Sequence, residues 1–323
     1  MKASLSMKRA ETSDGERGAT PTGARARRPS LIDRIGDQLP KIVVAPTFLI
    51  TLVFVYGFIA WTTYLSFTRS TMRPSMVWEG LRPHERLWGN PVWHTALGNL
   101  GTYALLYIGL STLMGMLLAI LLDQRIRAEG ALRTIYLYPM ALSFIVTGTA
   151  WKWILNPGLG IEKLMHDFGF QDFQFQWLVD PDMAIYCLVI AGVWQSSGFV
   201  MAMFLAALRG IDGEIIKAAQ IDGAGLLRIY ARIIIPMMRP VFLSSFIILG
   251  HLAIKSFDLV VALTGGGPGN ATALPATFMY EMTFTRNQVA VGAASAVVML
   301  MTVCAVIVPY LYSELRPKGG AHG

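Results

Sequence analysis

The chain has little with which to do chemistry. Only two cysteines occur in its 323 residues, Cys187 and Cys304, both within apolar stretches. No disulfide framework can be built from them, and packing is their expected role. Five histidines (His84, His94, His166, His251 and His322) are scattered without metal-ligand spacing, and no Gly-x-x-x-x-Gly-Lys-Ser/Thr phosphate loop occurs. The chain therefore shows no signature of a metal centre or of ATP hydrolysis by itself. Charge is scarce as well, at 15% of residues against 54% hydrophobic, with a mean hydropathy of +0.50. Those values exclude an ordinary soluble domain and place the chain in a membrane.

A helix needs about 20 apolar residues to cross roughly 30 Å of hydrocarbon. Six runs meet that requirement, near residues 42–66, 97–122, 132–155, 184–208, 241–263 and 289–312. The fold class expected is an all-α integral membrane protein with six transmembrane helices spanning 42–312. The first run is too long for a signal-peptide core and reads as a retained span. Before it, residues 1–41 form a basic tail containing Ser, Gly and Pro that is expected to be disordered. Residues 313–323 form a short second tail. The segments 1–41, 123–133, 209–239 and 313–323 carry 9, 3, 5 and 2 Lys/Arg, together 19 of the 27. By the positive-inside rule these segments, and hence both termini, face the cytoplasm. The net charge of +7 is then a consequence of topology and gives no reason to invoke nucleic acid.

The three remaining loops fall on the outer side. The loop 67–96 carries Trp78, Trp88 and Trp93, as expected at a membrane interface, and would cap the outer mouth. In the loop 156–183, Gln171–Trp177 reads as an amphipathic aromatic stretch suited to a short surface helix. Trp151 and Trp153 flank Lys152 as an aromatic belt would. The run Thr264-Gly-Gly-Gly-Pro-Gly-Asn270 permits a tight exit from the fifth span.

The polar segment 209–239 is too ordered for a simple connector. Glu214–Leu227 has helical spacing, with Ile215, Ala218, Ala219, Ile221, Asp222 and Gly223 gathering small or apolar groups on one side. Asp222-Gly223 supplies a break. Leu226–Ile235 is a second helical stretch, which Pro236 stops or kinks. Read from the residues alone, this is either a docking segment or an amphipathic cytoplasmic helix lying on lipid headgroups.

The residues Ala218, Ala219, Asp222, Gly223, Ala224, Ile233 and Pro236 resemble the loop signature of binding-protein-dependent ABC importer permeases of type I. The family's leading Glu is Lys217 here. Asp258-Leu-Val-Val-Ala-Leu-Thr-Gly-Gly-Gly-Pro268 is similar to the Leu-Thr-x-Gly-Gly-Pro pattern of permeases that import sugars and polyols. The resemblance covers about residues 42–312 and lacks the large outer domain of the maltose-type permease. It implies a cytoplasmic coupling helix, with Glu214, Lys217, Ala218, Ala219, Asp222, Gly223, Ala224 and Pro236 as the segment that docks on an ATPase subunit. It also implies a second permease subunit, two ATPase subunits that bind ATP and Mg, a periplasmic or extracellular sugar-binding protein, and no cofactor in this chain.

Polar residues inside spans are costly and usually face a cavity. Gln195, Ser196, Phe199, Lys255 and Ser256 are the candidate substrate-pathway set, and by the resemblance they match the region that contacts sugar in the maltose-type relative. Ser197 and Gly198 read as packing residues, and His251 as a satisfied interior residue. Lys255 and Asp258 lie three residues apart on one helical face of the fifth span, so they either neutralise each other or meet substrate. Two other classes compete. An ion-gradient-driven secondary transporter would use Lys255 and Asp258 as its ionisable pair, and a membrane enzyme would need clustered His and carboxylates, which the sequence does not show.

Overall fold

The computed structural model describes residues 41, 43–124 and 127–315. Of the expected tails 1–41 and 313–323, residues 1–40 and 316–323 lie outside the described residues. The described residues up to Gly57 belong to a unit of their own and are helical and exposed, with a π-helical turn at Leu52–Tyr56. The second unit begins at Phe58.

Along the chain, α1 (Val43–Leu65) is the first candidate span. After it come α2 (Arg82–Trp88) and α3 (Pro91–Asp123), then α4 (Glu129–Ala141) and α5 (Phe144–Ile154), with α6 (Ile161–Asp167) leading to α7 (Ala184–Arg209). The remainder is α8 (Gly213–Ile221), α9 (Leu226–Met237), α10 (Arg239–Ile254), α11 (Asp258–Leu263), α12 (Pro275–Tyr280) and α13 (Val289–Leu315). Among the described residues, the only extended pairing is a single bridge between Thr68 and Trp78.

Four of these helices, α1, α3, α7 and α13, are long and apolar enough to cross a membrane unbroken, and six crossings result when each of two bent pairs counts as one. The expected straight span 132–155 is instead α4 and α5, bent by 102°. Pro139 lies within α4, and Leu142 and Ser143 are extended, with ψ of 147° and 151°. Ser143 starts α5 by accepting the Val146 N–H at 3.3 Å. The expected span 241–263 is likewise interrupted: α10 ends at Ile254, and α11 starts only at Asp258. The second span begins earlier than expected because Asn90 caps it, accepting the Val92 N–H at 2.9 Å, and Pro91 suits the first helical position.

Helices α3 and α7 form the main seam of the core and run parallel, since Tyr107 meets Ser196 while Gly115 meets Val200 and Met201. A Cβ on Gly115 would lie 2.6 Å from Val200, so the two backbones approach as closely as a missing side chain allows. The same device joins α5 to α11, where a Cβ on Gly148 would come within 2.7 Å of Ala262, and α7 to α4, where Gly198 lies under the Tyr136 carbonyl. Cys187 is buried in this core, whereas Cys304 is exposed.

A second cluster joins Leu87 of α2, Trp93 and Ala96 of α3, Phe278 of α12 and Val291 of α13. Trp93 is thus fully buried against Phe278, at 5.2 Å between rings, and is not an interface residue as its loop context implied. In the segment before α2, Phe67 stacks on both Trp78 and His84, and Glu79 takes Arg69 and Arg86 at 3.5 and 3.3 Å. Residues 171–177 form no helix. They are tied to α6, because the Phe175 N–H donates to Glu162 at 3.0 Å and His166 Nε2 bonds the Phe173 carbonyl at 2.8 Å.

Replacing Gly115 with Leu is expected to lower the stability of the solubilised protein by about 1–3 kcal/mol through overpacking. Gly109→Leu, on the same helix with nothing within 4 Å of its Cβ, serves as control. The thermal unfolding midpoint should fall for the first variant and stay near wild type for the second.

Candidate functional site

Helix α8 is a short helix with defined ends. Asp212 caps it, its carboxylate accepting the Glu214 N–H at 2.9 Å. At the other end Gly223 and Ala224 donate to the Gln220 and Ala219 carbonyls, both at 3.0 Å, with Gly223 at φ +77°. This is the paired closure that requires a left-handed residue, which is why Gly stands there. The expected helix Glu214–Leu227 therefore stops at Ile221. Ile216, Ala219 and Ala224 pack on the core, while Ala218, Asp222 and Gly223 face outward. Ile221 and Leu227 are 86% and 89% exposed, large apolar groups displayed on a polar loop. Lys217 bonds Glu214 at 2.9 Å, both side chains well exposed, so the non-family lysine is neutralised within its own helix.

Helix α9 runs past Pro236 to Met237 and bends by 65° into α10 at Met238. The π-helical turn Tyr230–Ile234 lies just before Pro236, where the missing proline N–H leaves a carbonyl without its helical donor. The break falls two residues later than the ring alone suggested.

A polar cavity of about 30 Å³ lies where α10 breaks, lined by Lys255, Ser256, Asp258, Phe144 and the tyrosines Tyr103 and Tyr107 of α3. It has room for water, and a sugar would require it to open. The Tyr103 and Tyr107 rings stack at 5.2 Å and 8°, and Tyr107 shares a 2.6 Å hydrogen bond with buried Ser196. Lys255 closes α10 and Asp258 opens α11, with no ion pair between them, so they do not share one helical face as a continuous span would require.

Of the expected pathway residues, Lys255 and Ser256 line this cavity and Ser196 sits behind Tyr107. Gln195 is buried and donates to the Leu142 carbonyl at 2.8 Å, and Phe199 is half-buried against the core. His251 is exposed, contrary to its interior reading. Sequence reasoning missed Tyr103 and Tyr107, although two tyrosines one helical turn apart in an apolar run were a usable signal. The larger cavity, about 670 Å³ and apolar, follows the bend between α4 and α5. Trp151 lines it edge-on to Trp194 at 5.9 Å, while Trp153 is 72% exposed, so only the latter is placed as an anchor would be.

Four unbroken candidate crossings and two bent ones, together with a doubly capped helix on a polar loop, are the parts expected of a membrane transport subunit. Residues 111–318 match the model for the binding-protein-dependent transport system inner membrane component, and the chain belongs to that family of ABC importer permeases. It is 39% identical over 283 residues to a probable ABC transporter permease protein of Pyrococcus horikoshii, covering 86% of this chain and 97% of that one. It is 37% identical over 219 residues to the xylose/arabinose import permease protein XacH of Haloferax volcanii, covering 66% and 68%. A bacterial ABC transporter involved in the import of the acidic polysaccharide alginate has the same fold, with a TM-score of 0.76 at 18% identity, covering 89% of this chain and 99% of that one. Family membership sets aside the secondary-transporter reading.

Gln195→Leu is expected to destabilise the protein by about 1–3 kcal/mol, because the Leu142 carbonyl would lose its donor inside the apolar layer. The loss should appear as a lower denaturation midpoint in detergent.

Proposed function

We propose that this chain forms half of the translocation pathway of an ATP-driven importer for a neutral sugar, working as the structural and mechanical subunit without catalytic residues. The observation that carries the reading is α8, whose family-matching residues Ala218, Asp222 and Gly223 are exposed on a helix closed at both ends. Such a helix is pre-formed and rigid, and can transmit a push without first paying an ordering entropy. Lys217 and Glu214 neutralise each other in this reading, so docking rests on the small residues and shape complementarity. Pro236 sets the bend through which α9 leads into α10.

The proposed assembly pairs this chain with a second permease, two ATPase subunits holding ATP and Mg, and a binding protein that delivers sugar to the face opposite the coupling loop. Residues 42–312 would form the permease domain in surrounding lipid, with both tails and the loop 209–239 in the cytoplasm. Closure of the ATPase pair displaces α8 and opens the cavity around Tyr103, Tyr107, Lys255 and Ser256 alternately to each side. One cation and one anion on its wall, with stacked aromatic faces, suit a polyhydroxylated neutral ligand better than an anion. The name of the Haloferax volcanii relative, a xylose/arabinose permease, supports the sugar class.

Gly223→Leu should leave membrane insertion and yield intact and abolish most transport, because left-handed backbone costs a residue with a Cβ about 1–2 kcal/mol and the side chain would stand in the docking face. Gly223→Asn, which tolerates that backbone, should retain more activity. Normal uptake by the Leu variant in proteoliposomes would overturn the reading. Mass spectrometry of what copurifies with the gently solubilised chain should find a second permease and an ATPase.

A further inference from the structure

Arg209, the last residue of α7, stands four residues before α8 and reaches two carboxylates on different elements. Its Nε lies 3.7 Å from Asp123, the last residue of α3, and its Nη2 lies 2.6 Å from Glu129, the first residue of α4. Arg209 thus joins the end of α7 to carboxylates at the end of α3 and the start of α4.

The parallel seam of α3 and α7 is tied twice, by Tyr107 and Ser196 beside the polar cavity and by Asp123 and Arg209 at the loop. The two ties are sixteen residues apart along α3, about 24 Å. Helices joined by a hydrogen bond at one place and an ion pair at the other, and packed at Gly115 between them, have little freedom to slide.

We propose that Arg209 is a positioning residue for transport, stapling the base of the coupling loop to α3 and α4 so that displacement of α8 moves α3 and α7 as one body. The proposal rests on the reading of α8 as the ATPase-docking helix. The three side chains are 32–44% exposed, so water screens the pair and its worth as plain stability is small. Its effect is on which elements move together.

The test uses the complex as it copurifies with its ATPase, reconstituted in nanodiscs and trapped with ATP and vanadate. Cys304, which is exposed, is replaced by Ser, and a spin label is placed at Leu105→Cys on α3, where the native side chain is 76% exposed. In the otherwise native chain the spectrum should change on trapping. With Arg209→Gln the assembled complex should lose that change about fivefold or more, and Arg209→Lys should restore part of it. Asp123→Asn, which removes only the partner on α3, gives the same reading should Arg209→Gln fail to assemble. A full response in both neutral variants overturns the staple. Gly223→Leu separates the two ideas, because loss of response there with full response in Arg209→Gln rejects the staple alone. A full response in Gly223→Leu, or none in the native chain, rejects the coupling reading and the staple with it.

Discussion

Inside an apolar layer no water is at hand to bond a free carbonyl or N–H, and the arrangement of this protein depends on meeting that constraint wherever a crossing breaks. Where α4 gives way to α5, Gln195 on α7 donates to the Leu142 carbonyl and Ser143 caps the helix that follows. Where the chain leaves α11, Asn99 of α3 donates to the Asn270 and Ala273 carbonyls at 3.2 and 3.0 Å, and Thr264 bonds Thr272 at 2.7 Å. In both places a straight span supplies the polar side chain that an irregular segment needs. The bend between α4 and α5 is thereby held against α7 and the exit from α11 against α3, and the interruption after α10 presents Lys255 and Ser256 at a cavity wall.

Small residues set the distances over which those bonds act. Gly115, Gly148 and Gly198 stand where helix backbones touch, and the absent side chains let neighbouring helices come within hydrogen-bonding reach of one another. Tyr107 can then meet Ser196 across the seam, with Tyr103 stacked beside it, and the cavity acquires an aromatic wall backed by a rigid pair of helices. Hydrophobic attraction between helices is weak in lipid, so these contacts carry more of the organisation than they would in a water-soluble core.

Features encoded over short distances were legible in the sequence. The Gly223 position required a left-handed residue and has φ +77°, and Gly265, Gly266 and Gly267 take φ of +66°, +103° and +77° to make the expected tight exit. What could not be read was the effect of neighbours on otherwise apolar runs. The run 132–155 read as a single span, and its 102° bend is tolerable because Gln195 arrives from α7 to satisfy the Leu142 carbonyl while Ser143 caps the next helix locally. Gln195 itself looked like a pathway residue because a polar side chain in a span has two uses, and sequence does not distinguish facing a cavity from satisfying a neighbour. Trp93 looked interfacial from its loop neighbours until α12 supplied Phe278.

The amino-acid order by itself determined that the chain lives in a membrane, roughly where it crosses, and that it displays a capped helix closed by Gly223. Each of those rests on hydropathy or on backbone preferences acting within a few residues. Only the tertiary structure decided that two of the crossings are broken, that Lys255 and Asp258 stand apart on different helices, and that Tyr103 and Tyr107 share their cavity. Those outcomes depend on which distant side chain reaches a freed carbonyl and on how closely two helices approach, and neither is written in the local pattern of apolar residues.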